Sequence, residues 1–98
     1  MKEGYIYIIS NKNRTVLYTG VTANLTRRMR EHLDGRGSIF CRKYNVRELL
    51  YYELFMDIRD AIKREKEIKG WVREKKIALI ISRNPEMKNL LDNGKKEK

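Results

Sequence analysis

Residues 4–10, Gly-Tyr-Ile-Tyr-Ile-Ile-Ser, form a run of aromatic and β-branched side chains, and Thr15 to Thr19 form a second, shorter one. Such side chains suit a pleated strand, and the intervening Asn11-Lys12-Asn13-Arg14 is turn chemistry, so the two runs predict a hairpin. Alternation along a strand puts Tyr5, Tyr7 and Ile9 on one side, with Val16 and Tyr18 sharing a side of the partner, so that Tyr7 and Tyr18 can meet on one face. Tyr5 reads as an ordinary half-buried sheet residue. Gly20 is expected to break the second strand. Asn24 is a natural cap for a helix running to about Leu33, ended by Gly35 and Gly37. At 100° per residue, Leu25, Met29 and Leu33 cover an apolar arc of about 80°, with His32 roughly 20° and Arg28 roughly 60° outside its border. Arg27 and Arg30 point away from it.

Residues 38–44 predict a short helix, and Arg47 to Phe55 a third strand at the centre of the sheet. Asp57 then caps a long helix through about Lys76, whose apolar arc contains Ile58, Ala61, Ile62, Ile68 and Val72. Glu65 falls inside that arc. Ile77 to Ile81 reads as a further packing helix, and Asn84-Pro85-Glu86 as a cap followed by proline at the first position of a last short helix. The expected fold is therefore α/β (α+β): a small central antiparallel three-stranded sheet flanked by helices, in the order ββααβαα. The domain is expected over residues 1–90, with 91–98 as a disordered basic tail.

A chain of 98 residues supports one domain burying roughly 60–65% of its unfolded surface. Its 23 Lys plus Arg against 13 Asp plus Glu, a formal net charge of +10, point to a polyanionic partner, with nucleic acid first among the candidates. A merely solvated basic surface is the plain alternative. No apolar run approaches the roughly 20 residues of a spanning helix, and the start leads into a strand rather than a signal peptide, so a cytoplasmic protein without a membrane role is expected. With a single Cys and a single His, neither a disulfide framework nor a zinc cluster can be assembled within one chain. Cys41, between Phe40 and Arg42, reads as a semi-buried, inert thiol.

Two tyrosine-glycine cassettes stand out: Gly4-Tyr5-Ile6-Tyr7 and Tyr18-Thr19-Gly20, followed by Arg28, His32 and the lone carboxylate Glu65. This ordered set resembles the GIY-YIG nuclease family, specifically its small single-domain members, and the resemblance covers most of the chain. The first cassette carries its glycine one place early, and Thr19 stands where the family has isoleucine, a replacement that keeps a β-branched strand residue. The resemblance implies a metal-dependent endonuclease acting on DNA, leaving 5′-phosphate and 3′-hydroxyl ends. It further implies that Tyr7, Tyr18, Arg28, His32 and Glu65 form the catalytic set. Glu65 would hold one divalent cation, Mg2+ or alternatively Mn2+, together with waters and phosphate, as suits a hard ion that keeps much of its hydration shell.

Arg28 can donate paired hydrogen bonds to non-bridging phosphate oxygens, as a lysine cannot. Tyr7 is the first choice for the group taking a proton from water, although a free phenol titrates near pH 10; His32, near 6.5 when unperturbed, is the rival. Gly20 would allow a tight strand-to-helix connection that brings Tyr18 and Arg28 together. Glu65 also has a plain structural partner, Lys69, four residues on in the favourable order. Arg27, Arg30, Arg36, Arg42 and Lys43 are candidates for nucleic-acid contact. With no further DNA-reading domain, nicking or structure-selective cutting with weak sequence specificity is expected, in repair or recombination. The rival expectation is a catalytically inactive nucleic-acid-binding module of the same fold.

Overall fold

The computed structural model describes residues 2–92. Three strands, β1 (Gly4–Ser10), β2 (Leu17–Thr22) and β3 (Glu48–Phe55), form one antiparallel sheet in the order β2-β1-β3. Helices α1 (Leu25–Leu33) and α2 (Ile39–Lys43) separate β2 from β3, and α3 (Ile58–Lys69) and α4 (Arg73–Arg83) follow, with a terminal 3-10 turn at Leu90–Asp92. The expected element order and antiparallel three-stranded sheet are therefore present. The basic tail expected over 91–98 lies, from residue 93 on, outside the described residues; Leu91 and Asp92 belong to the 3-10 turn.

The centre of the sheet is β1, not β3 as expected. Every residue of β1 from Ile6 to Ser10 is buried, which is what a strand covered on both faces requires, whereas β3 exposes Tyr52 and Leu54. Alternation along β1 divides the interior into two cores. Ile6 and Ile8 join Leu50, Tyr51, Ala61, Ile68 and Ile80 on the side of α3 and α4. Tyr7 and Ile9 join Met29, Cys41, Val46 and Leu49 on the side of α1 and α2. Each buried isoleucine contributes about 1.5–3 kcal/mol by leaving water. The register of β1 on β3 shifts between Ile8 and Ile9, opposite Tyr51 and Leu49, leaving Leu50 as an extra residue that turns into the first core.

Three other expectations are corrected. Gly20 does not end β2: it sits within the strand opposite Tyr7, and β2 continues to Thr22. A methyl group there would overlap the Tyr7 ring and hydroxyl, so the missing side chain makes room for a ring across the sheet. The helix from Asp57 stops at Lys69, with Gly70 as its C-cap, and α4 starts at Arg73. Glycine is among the residues least suited to continuing a helix; beyond the break Trp71 packs on the first core, and Val72 is exposed rather than part of a buried stripe. Finally, Asn84 closes α4 instead of opening a helix at Pro85. Its buried amide donates to the Leu50 and Lys88 carbonyls at 3.0 and 2.8 Å, tying the chain to the outer edge of β3. Among the described residues, no helix is long and apolar enough to cross a membrane.

Candidate functional site

On the α1 side of the sheet, Tyr7 projects from the central strand over Gly20 toward α1. Asn24 caps that helix by accepting from the Arg27 amide at 3.0 Å, which fixes its start. From there, Met29 and His32 turn inward and Arg28 lies at the edge of the buried stripe; the stripe is rotated from the expected arc, since His32 is buried within it and Leu33 is 49% exposed. Two nitrogens of α1 converge on one oxygen: Arg28 Nε–H donates to Tyr7 Oη at 3.3 Å, and His32 Nε2 lies 3.4 Å from the same oxygen. The Tyr18 ring meets the His32 imidazole edge-on, with centroids 6.2 Å apart. Tyr7, Tyr18, Arg28 and His32 are thus gathered into one cluster.

The electrostatics follow from burial. His32 is 2% exposed, and desolvation, helped by the Arg28 cation and opposed by Glu31, pushes its pKa down to about 4. The imidazole is therefore neutral at pH 7. Its Nδ1 is buried without a hydrogen-bond partner. With the proton on Nε2 the Tyr7 oxygen accepts from both Arg28 and His32; with it on Nδ1 the Tyr7 hydroxyl donates to Nε2. Burial raises the Tyr7 pKa while the hydrogen bond and charge of Arg28 pull it down; as it stands the phenol is neutral. Arg28 is held protonated by the Tyr7 hydroxyl and by Glu31, whose carboxylate receives Arg28 Nη1 at 2.8 Å and is itself kept ionised by that contact. Among the described residues Nη2 of Arg28 has no protein acceptor and is not sealed from solvent, the side chain being 29% exposed.

Glu65 belongs to a different layer. It lies on α3, 8% exposed, and pairs with Lys69 Nζ at 2.5 Å. Among the described residues it forms no direct hydrogen bond with Tyr7, Tyr18, Arg28 or His32. The link runs along the β2 margin: α3 packs on β1 and β2, and Glu65 raises the pKa of Lys69 and holds it protonated. Five predicted nucleic-acid contacts, Arg27, Arg30, Arg36, Arg42 and Lys43, are all exposed, but they divide between the outer face of α1 and the surroundings of α2. Arg27 and Arg36 spend part of their charge on Glu31 and Asp34. Cys41 is buried, and burial pushes its thiol up.

Two residues of the cluster escape sequence reasoning. Glu31 anchors Arg28 from one turn away, a spacing that could have signalled it. Gly37 lies against the imidazole so closely that a methyl group would collide with Nδ1, a tertiary contact that no local pattern announces. Thr19 buries its hydroxyl without a partner on the α3 side of β2.

Comparison with known proteins identifies the family of the chain. Residues 3–78 match the family model described as the GIY-YIG catalytic domain. A UPF0213 protein of Staphylococcus saprophyticus is 38% identical over 80 residues, covering 82% of this chain and 96% of that protein. One from Natronomonas pharaonis is 41% identical over 78 residues, covering 80% and 91%. The solution NMR structure of a UPF0213 protein from Bacillus halodurans superposes with a TM-score of 0.58 at 27% identity, covering 94% of this chain and 97% of that one. The chain belongs to the GIY-YIG family of nuclease domains, within its small UPF0213 members.

Proposed function

We propose that the protein is a cytoplasmic, metal-dependent endonuclease that hydrolyses phosphodiester bonds in DNA, nicking one strand at a time with weak sequence specificity in repair or recombination. The observation that carries this reading is the convergence of Arg28 Nε and His32 Nε2 on the Tyr7 oxygen. Phenol oxygens that only need burying need one partner. With Nε2 of His32 protonated, two donors on one oxygen stabilise a phenolate, the form a tyrosine must take before it can accept a proton.

Tyr7, once its phenolic proton has left to solvent, takes a proton from the attacking water and returns from phenolate to phenol. His32, neutral and with its donor turned inward, holds the phenolate in place and is a positioning residue rather than the base. Arg28, with Nη2 not sealed from solvent, receives the charge that develops on the non-bridging oxygens. Tyr18 flanks His32 and borders the approach to Glu65. What supports a cation here is Glu65 alone, a buried carboxylate compensated by one flexible ammonium; among the described residues no group of three or more His, Cys, Asp or Glu gathers there, so water and phosphate would complete the shell of a hard ion. Mg2+, or Mn2+, would be held there by Glu65 with waters and phosphate, supplying charge neutralisation at the phosphate and the departing oxygen.

A second reading has one observation behind it. The close Glu65–Lys69 pair satisfies the carboxylate without any cation, as a catalytically inactive nucleic-acid-binding module of the same fold would have it. Strand cleavage of labelled DNA in Mg2+, Mn2+ or chelator, by wild type and Glu65→Ala at matched DNA occupancy, separates the two. Cutting that requires metal and vanishes in the variant while binding persists is the expected result; salt-sensitive binding with no cutting by the wild type would establish the binding module instead.

A further inference from the structure

Helix α2 is anchored by little and exposes much. Cys41 is its buried residue, and Ser38 caps it by accepting from the Cys41 amide at 3.1 Å. Phe40 and Tyr44, four residues apart and so on one face, remain 43% and 42% exposed. They are not scattered apolar residues. The Phe40 ring stacks on Tyr18 with centroids 6.0 Å apart and planes 26° from parallel, and it meets Tyr44 at 4.9 Å. Since Tyr18 also touches His32, a continuous line of rings runs from the Tyr7–Arg28–His32 cluster out to solvent. Cations rim it: Lys43 Nζ sits 5.4 Å above the Tyr44 ring, and Arg36 and Arg42 are exposed on the same stretch of chain.

We propose that Tyr18, Phe40 and Tyr44 form a stacking platform for unpaired nucleobases, which holds a single-stranded segment of DNA beside the Tyr7–Arg28–His32 cluster. This deepens the nuclease reading and rests on it for the strand's being the one that is cut. The chemistry is specific to that occupant. Aromatic faces interleaved with Lys and Arg grip bases and backbone together without reading sequence. In a duplex the base faces are already occupied by their neighbours, so only an unpaired strand can use the rings. A protein partner would use the same rings but has no need of Lys43 beside them, since lysine is depleted at protein interfaces.

The test measures dissociation constants by fluorescence anisotropy in chelator, where no strand is cut. The probes are a single strand, a duplex of equal length, and a single strand of equal length with abasic sugars in place of its nucleotides. Wild type is compared with Phe40→Leu and Tyr44→Leu, which keep apolar bulk but remove a ring, and with Phe40→Trp, which restores one. Wild type should bind the normal strand more tightly than the abasic one, and each leucine variant should lose roughly 5- to 150-fold on the normal strand alone. Phe40→Trp should recover the loss, and the dependence of binding on salt should be unchanged, since no phosphate contact is removed. Equal affinity for normal and abasic strands, or an equal loss on single strand and duplex, or no loss in either leucine variant, would overturn the platform. Because the abasic comparison uses wild type alone, a folding defect in a variant cannot decide it. Discrimination between normal and abasic strands in a protein that never cuts would sustain the platform and sink the nuclease reading; cutting without that discrimination would do the reverse.

Discussion

Acidification should remove stability through one side chain. Burial lowers the His32 pKa from 6.5 to about 4, so the unfolded chain takes up a proton below pH 6.5 that the folded protein refuses until about pH 4. The contribution is therefore fully present above pH 6.5 and is lost as pH falls through that window. At about 1.4 kcal/mol per pKa unit, the loss reaches about 2 kcal/mol by pH 5 and about 3 kcal/mol below pH 4. Carboxylates held ionised by arginines, such as Glu31 beside Arg28, add acid sensitivity at lower pH, below their ordinary range. Urea unfolding of wild type and His32→Gln between pH 7 and 5 isolates the histidine, because glutamine keeps a donor for Tyr7 and does not titrate. Wild type should lose about 2 kcal/mol more than the variant across that interval. As His32 is the single histidine, its proton NMR titration reads the pKa without assignment. A value at or above 6.5, or parallel stability curves for the two proteins, would refute the lowering of the His32 pKa by burial.

Three further outcomes are expected. Gly20→Ala drives a methyl group into the Tyr7 ring and hydroxyl; it should cost about 1–3 kcal/mol by thermal or urea unfolding and abolish cutting, and a fully stable, active variant would show that the ring needs no such space. Arg28→Lys cannot bridge Tyr7 and Glu31 while facing a phosphate; single-turnover cleavage should fall roughly 100-fold with DNA affinity within a few-fold of wild type, whereas unimpaired cutting would remove Arg28 from the chemistry. Lys69→Met leaves Glu65 without its 2.5 Å partner; calorimetry should show Mn2+ binding tightened by roughly 5-fold, a gain of about 1 kcal/mol, and weaker binding would place the cation elsewhere.

What the chain disclosed was whatever depends on near neighbours. The alternation Tyr5-Ile6-Tyr7-Ile8-Ile9 states which rings share a face, and the caps Asn24 and Asp57 sit where their helices begin. The arc sets Arg28 and His32 on one side of α1, but it places Leu33 rather than His32 within the buried stripe. What stayed hidden depends on distant partners. Gly20 resembles a strand break until its pairing with Tyr7 is known, and Gly37 resembles a plain helix terminator until His32 lands on it. Asn84 before proline has the chemistry of a helix start, but its amide is recruited by the Leu50 carbonyl 34 residues away. The apolar spacing from Ile58 to Val72 favours one long helix, while Gly70 and the tertiary packing of Trp71 favour two.

The most direct test is single-turnover cleavage of a labelled strand by wild type and Tyr7→Phe at matched DNA occupancy, in Mg2+ and in chelator. The account predicts cutting by the wild type in Mg2+ only, and a loss of at least about 100-fold when the oxygen joining Arg28 and His32 is removed. Undiminished cutting by Tyr7→Phe, or equal cutting by the wild type in chelator, would contradict it.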